Sequence, residues 1–464
     1  MLLYNLKKTT EKPLYEALYD ALKKDILEGR LKAGQKMPSR RELAASNAVS
    51  ITTVMNAYQQ LLMEGYLISR ERSGYYIADV QAMPGDPLVY AAANSFYKER
   101  HWFADFRSNN ALYHHFPAAT WKKVVREILT EYDEELIRRG DPFGIAELRE
   151  QISAYLERAR GIQVSPTCIV IGAGIEYLYA RLITLFPAAA IYAAENPGYR
   201  KIPGIFEAYH LRWKSVDMDE AGISMADLWT KDVTIAHVSP EHHYPLGTIM
   251  TMRRRQELLN WADGAPDRYI IEDDYDCEFR YGAMPIPSLK SLDRSDRVIY
   301  MNTFSKTLSP AVRISYMVLP PALMESYIRR THFFTNSTSS LEQYSVARFI
   351  EKGHFERHLN RIRKLYRAEG ETLLAALQNN PEIPITQISG GTSGTHLLVR
   401  LNTDLPDEIV KNRAARAGIN VFFLSDFCLE ANPRYDHTLI LNYSDLGADI
   451  QKEAIRRLGS IFTG

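Results

Sequence analysis

The sequence predicts a multidomain α/β protein: a small helical unit closed by a β-hairpin, then a large α/β domain with a mostly parallel sheet. Three observations predict it. The chain has 464 residues, 46% of them hydrophobic, enough for two or three domains. Residues 1–80 carry apolar positions at helical spacing and end in a strand, turn, strand pattern. Further on, amphipathic stretches alternate with short β-branched runs, CIVIG, TIAHV, YIIED and VIYMN. That alternation belongs to a parallel sheet covered by helices.

Leu14, Leu18, Leu22 and Ile26, four apart, place an apolar stripe on one helix face, and Gly29 and Gly34 mark its end. Two further helices are expected within 39–67, separated by a tight turn around Asn47. Ser50 is suited to cap the second of them. A helical wheel centred on Val54 turns Ile51, Tyr58, Leu61 and Leu62 inward and Thr52, Asn56, Gln59 and Gln60 outward. YLISRERSGYYIA then reads as a hairpin. Residues 81–105, with MPGDP and AAANSFYKERHW, suit a linker. The expected domains are therefore 1–80 and 106–464, on either side of it.

The formal net charge is zero, so any nucleic-acid surface must come from local clustering of cations. Residues 1–80 hold 12 Lys and Arg against 9 Asp and Glu, a balance of +3, which leaves −3 for the rest. Cys168, Cys277 and Cys428 lack metal-ligand spacing, which fits a reducing compartment, and no metal site is expected. With no signal-peptide pattern and no run of about 18 apolar residues, a cytoplasmic location and no membrane contact are expected.

Short polar side chains on the outer face of a helix are suited to base edges in the major groove, and flanking cations to phosphates. Thr52, Thr53 and Asn56 are candidates for the first role, with Ser50 and Ser39 at helix starts. Lys36, Arg40, Arg41, Arg70 and Arg72 are candidates for the second. An isolated periodicity of this kind more often marks a small helical domain with a solvated face. The longer pattern favours DNA: residues 13–78 hold Gly34-x-x-x-Pro38-Ser39-x-Arg41, Val49-Ser50-x-x-Thr53-Val54 and Glu64-Gly65-Tyr66. Together these resemble the GntR-type winged helix-turn-helix, which implies binding to a double-stranded operator. Many members carry Arg after the serine; here Ile51 stands there, turned toward the core on the wheel.

The strongest chemical signal is VIYMNTFSKTLSPAVRISYMVLP, residues 298–320. Pyridoxal phosphate needs a lysine amine that forms an imine with its aldehyde, and hydroxyls and a fixed cation for its phosphate. Lys306 is suited to the first; Thr303, Ser305 and Arg313 to the second. Upstream, at the end of YII, a carboxylate at Asp273 would face the pyridine nitrogen and a phenol at Tyr275 the ring oxygen. An acidic cluster alone is more often a solvated loop or a metal site; its pairing with the lysine segment favours the cofactor. CIVIGAGIEYLYARL offers the backbone amides of Gly174, Ile175 and Glu176 at a helix start. In AENPGYRK, Tyr199 offers an aromatic face, the simpler alternative being a turn tyrosine.

These elements resemble the fold-type I aminotransferase family over about residues 105–464, and the whole chain resembles the MocR subfamily of regulators, with details similar to its PdxR-like branch. The resemblance implies a head-to-tail homodimer that responds to pyridoxal phosphate, with an additional amine ligand left open. The branch implies control of pyridoxal phosphate synthesis. Two departures bear on activity. In HTLILNYSDL, Ile440 occupies the position where the family holds a substrate carboxylate with Arg, so an anchor is missing unless Arg434, Arg400 or Lys201 reaches in. In HHYPLG, Tyr244 replaces an asparagine; His243 is the candidate cofactor contact there, a packed histidine being the equal alternative. The alternative function is a working aminotransferase with an appended DNA-binding domain; the missing anchor favours a sensor without net turnover.

Overall fold

Leu18, Leu22 and Ile26 are buried against Val54, Ala57, Tyr58 and Leu61, while Leu14 is half-buried. This contact organises the first of two compact units, Met1–Arg100 and His101–Gly464. The computed structural model describes residues 2–4, 6, 13–71, 73–80, 101–107, 115–281 and 286–463. Arg72 and most of the expected linker, 81–100, lie outside the described residues.

Helix α1 (Leu14–Leu27) ends before Gly29, whose φ of 72° suits a residue without a Cβ. Helix α2 (Arg40–Ser46) starts at a capping box: the Ser39 hydroxyl accepts from the Glu42 N–H, and the Glu42 carboxylate from the Ser39 N–H. It stops at Asn47, followed by Ala48 at φ 52°. The Ser50 hydroxyl caps α3 (Ile51–Met63) by accepting from Thr53 N–H at 3.0 Å. Strands β1 (Leu67–Arg70) and β2 (Gly74–Ile77) close the unit as an antiparallel hairpin.

Ile51 corrects the wheel: it is 49% exposed. It is the first residue of α3, and a helical side chain leans toward the preceding turn. No such turn exists at a helix start, so the inward angle does not produce burial.

The second unit opens with β3 (Ala104–Asp105) and is built on an eight-stranded sheet. Its strands are β4 (Ile169–Gly172), β5 (Ile191–Asn196), β6 (Arg212–Asp219), β7 (Gly222–Ile223), β8 (Ile235–Val238), β9 (Tyr269–Asp273), β10 (Val298–Thr303) and β11 (Ser315–Val318). The order is β4-β11-β10-β9-β8-β5-β6-β7. From β10 to β6 the neighbours are parallel, and β8, β9 and β10, buried on both faces, read as apolar runs. Strand β11 runs antiparallel between β10 and β4, with Ser315 opposite both Thr303 and Gly172. The start of β11 and the ends of β4, β9 and β10 therefore share one edge.

A smaller antiparallel sheet combines β12 (Ile385–Gly390), β13 (His396–Leu401), β15 (Phe422–Phe423) and β16 (Thr438–Asn442). Between them, β14 (Ile419–Asn420) pairs in parallel with β3. Ile440, fully buried in β16, lies opposite Leu398 and Phe422. No helix among the described residues is long and apolar enough to cross a membrane.

Candidate functional site

In the first unit, Thr52, Asn56, Lys36, Arg40, Arg41 and Arg70 are all exposed. Thr52 and Asn56 make no side-chain hydrogen bond to a described residue. Ser39, Ser50 and Thr53 are instead engaged in helix caps; the Thr53 hydroxyl lies 2.8 Å from that of Ser50. The Arg40 guanidinium lies 6.0 Å from the Tyr75 ring and that of Arg70 4.6 Å from Tyr76, so the cations border the hairpin. Neither these two nor Arg41 forms an ion pair with a described carboxylate. Cations on α1 differ: Lys23 pairs with Glu64 at 2.8 Å. Unpaired cations are the ones a phosphate gains most from meeting.

In the second unit, the shared strand edge encloses a cavity of about 530 Å³. It brings together Gly174, Ile175, Glu176, Tyr199, Asp273, Tyr275, Thr303, Ser305, Lys306 and Arg313. This is the crevice outside the carboxyl ends of parallel strands where ligands of open α/β sheets collect. Lys306 follows β10 in the short helix Phe304–Thr307, whose Thr307 carbonyl is 2.8 Å from His358 Nε2. Burial lowers the Lys306 ammonium to about 8, with Asp276 opposing the shift and Lys201 adding to it. The amine is thus far easier to deprotonate than an exposed lysine.

Asp273 ends β9; its Oδ2 is 3.6 Å from His237 Nε2. The Tyr275 hydroxyl donates to the His242 carbonyl at 3.1 Å, and burial pushes its phenol well above the ordinary range, so it stays protonated. Arg313 holds φ 50°, and its guanidinium donates to the Ala173 carbonyl at 3.1 Å and meets Glu176 at 3.5 Å. Gly174 holds φ 104°, which strains any residue with a side chain, and a Cβ there would stand 2.3 Å from the end of that guanidinium and make it shift. The Gly174 N–H itself is engaged by the Gly172 carbonyl at 2.9 Å, leaving the first-turn amides beyond it, at Ile175 and Glu176, for an anion. Thr303 Oγ1 accepts from Ser305 N–H and the Ser315 hydroxyl, so it props the wall and leaves Ser305 Oγ nearer the role of contact.

His243 is not brought into the cavity wall. It is fully buried behind it, 3.4 Å from Glu195, with neither ring nitrogen hydrogen-bonded among the described residues. Burial lowers it to about 3 and raises Glu195 to about 8, so both are neutral near pH 7. Of the three proposed substitutes for the missing anchor, Lys201 lines the cavity but pairs with Glu176. Arg400 donates to the Arg434 carbonyl, and neither arginine is in the wall. Ile440 packs under the wall with Phe427, Phe422 and Tyr244.

Several lining residues have no local sequence signal: Arg107, Ser239, Asn302, Phe422, Asp426 and Phe427. Tyr244 stood out beforehand as a departure, and Lys201 as a possible anchor. Behind the site a buried network fixes the loops. Arg160 Nη2 lies 2.9 Å from both Glu241 and Asp274, Arg280 meets Glu241 at 2.9 Å, and Glu272 accepts from the Leu289 and Lys290 amides. Arg255 donates to the carbonyls of Pro240, Met250 and Pro287. Breaking such a buried pair strands a charge at about 3–5 kcal/mol. Among the described residues, no group of His, Cys, Asp and Glu is arranged to hold a metal ion.

Residues 14–77 match the gntR family of bacterial regulatory proteins, and residues 103–422 match aminotransferase class I and II. The chain is 35% identical to the uncharacterized HTH-type transcriptional regulator YdeL of Bacillus subtilis, over 98% of this chain and 97% of that one. It is 30% identical to the probable rhizopine catabolism regulatory protein MocR of Rhizobium meliloti, over 98% and 95%. The crystal structure of Pyrococcus horikoshii kynurenine aminotransferase superposes with a TM-score of 0.68 at 23% identity, covering 82% of this chain and 95% of that one. That likeness concerns the fold.

Two outcomes are expected. In salt titrations of duplex binding, Arg40→Ala or Arg41→Ala lowers the slope of log K against log salt by about one unit, and Lys23→Ala leaves it unchanged. Equal slopes for all three would remove the phosphate-facing assignment. Second, capture of pyridoxal phosphate by the apo protein, trapped with borohydride and located on the Lys306 peptide, requires the neutral amine. Its rate falls about tenfold per pH unit below about 8 and levels off above it. A rate still climbing through pH 9.5 would mean an ordinary lysine.

Proposed function

The chain belongs to the MocR-type subfamily of GntR-family transcriptional regulators, and from that premise we propose that it is a pyridoxal phosphate sensor that controls DNA binding. The observation that carries this reading is the convergence of Lys306, Asp273 and Arg313 on one 530 Å³ cavity. The residues fit the cofactor. Arg313, the Ser305 hydroxyl and the Ile175 and Glu176 amides form a donor set for a phosphate dianion, and the glycine at 174 leaves the space. Asp273 offers a negative charge for a protonated ring nitrogen, Tyr275 a hydroxyl that would turn its proton from the His242 carbonyl to the ring oxygen, and Tyr199 a face for the ring. When bound, the cofactor supplies an aldehyde that an amine captures and a ring that withdraws electrons.

The chain's own residues then set the outcome. Lys306, partly neutral at physiological pH, holds the cofactor. Ile440, under an aromatic wall, gives no charge to orient an amino acid for proton removal. Occupancy therefore serves to shift the population between DNA-binding and non-binding states rather than to support turnover. The α3 side chains Thr52 and Asn56 read bases and the arginines position the unit, in a homodimer on paired half-sites.

Full-length protein loaded with pyridoxal phosphate is expected to give no more than one equivalent of keto acid from a panel of α-amino acids with 2-oxoglutarate as acceptor. Its affinity for an operator selected from random duplexes should change with pyridoxal phosphate in the wild type and not in Lys306→Ala. Many equivalents of product would establish the aminotransferase alternative.

A further inference from the structure

Ile440 takes a charge from one wall of the cavity, yet another wall carries a guanidinium without a counter-ion among the described residues. Asp105 of β3 pairs in parallel with Asn420 of β14, so two residues further on, Arg107 and Phe422 arrive side by side. The Arg107 guanidinium lies 3.9 Å from the centre of the Phe422 ring. Its backbone is pinned by the preceding residue. Phe106 is fully buried; its N–H donates to the Asn420 carbonyl at 2.9 Å, and its carbonyl accepts from the Asn442 N–H at 3.1 Å and side-chain amide at 2.9 Å. Asn442 lies two residues beyond Ile440 on β16, so the arginine is fixed to the strand that lacks one.

The neighbouring charges are accounted for differently. Lys201 and Arg313 share Glu176, and Asp426 is matched by Lys411 at 2.7 Å. Arg200 donates to the Cys428 carbonyl at 2.9 Å. Arg107 forms no ion pair with a described carboxylate. Around it stand Tyr199, Tyr244, Phe422 and Phe427, with Tyr244 and Phe422 edge-on to Phe427 at 5.3 and 5.1 Å.

We propose that Arg107 anchors a second ligand of this cavity, a carboxylate with an apolar body. A guanidinium held over the Phe422 ring keeps N–H groups free of that ring, and such groups meet a planar carboxylate in a fork. Arg107 and Tyr199 are exposed, and the aromatic rings receive the apolar body. Asp426 beside them weighs against a dianion such as a phosphate ester. The inference rests on the cofactor reading only in taking the Lys306 end as the cofactor's place.

The test is calorimetric titration of the full chain, loaded with pyridoxal phosphate, with L-phenylalanine, 3-phenylpropionate, L-phenylalaninamide and 2-phenylethylamine. Both acids are expected to bind, with the amide and the amine at least about tenfold weaker. Arg107→Gln should weaken the acids about ten- to a hundredfold and leave the amide unchanged, while Arg107→Lys should recover part of the loss. Borohydride labelling of Lys306 in each variant reports cofactor occupancy separately, and 3-phenylpropionate has no amine to react at that end. Absent labelling in the wild type would therefore count against the cofactor reading, whereas acid binding lost with labelling intact supports the anchor. Acids that bind no better than the amide, bind Arg107→Gln as tightly, or fail to bind the wild type would overturn it.

Discussion

A parallel sheet buried on both faces leaves its strands no room for polar side chains except at their ends, and the site depends on that constraint. Asp273 and Lys306 stand where β9 and β10 leave the apolar interior. The antiparallel β11 returns the chain to the same edge, so Arg313 and Ser315 meet Thr303 and the Gly172–Gly174 turn. Had β11 been parallel, its start would lie at the opposite edge and the phosphate donors would be separated from the lysine.

The edge is held by charge as well as by register. Glu241 and Asp274, both buried, share Arg160, while Arg255 gathers three carbonyls from the loops that carry Tyr244 and lead to β10. Burying such groups has a large desolvation cost, which is offset because nearly every donor finds an acceptor. The result is a frame around a cavity whose distal end is aromatic and whose anchoring charge comes from Arg107, two residues beyond β3, rather than from β16. A site of this kind retains the means to hold a cofactor, while a carboxylate held at Arg107 lacks the β16 anchor that orients an amino acid for proton removal, which suits occupancy sensing better than turnover.

Much of this was legible in the sequence because local chemistry carried it. Apolar runs located β4, β8, β9 and β10, and the spacing of Asp273, Lys306 and Arg313 located the cavity. Ser50 and Asn47 marked helix limits through capping and turn chemistry. What was not legible depended on partners far along the chain. Ile51 was read inward because a wheel has no end, whereas a helix does. The Gly174 amide was counted as a donor although its own turn engages it. For His243 the motif left a cofactor contact and a packed histidine equally open, and burial puts it behind the wall. Arg107 gave no signal, since its position follows from the pairing of two-residue strands, β3 and β14, at opposite ends of the unit.

The central claim is that the Lys306 cavity and the DNA-binding unit are energetically linked, and linkage is reciprocal. The most direct measurement is the affinity of the full chain for pyridoxal phosphate, followed by absorbance, with and without saturating operator duplex. The account predicts that the duplex changes cofactor affinity by the same factor by which the cofactor changes duplex affinity, about 5–150-fold for a coupling of ordinary size. An identical cofactor affinity in the presence and absence of operator would contradict it.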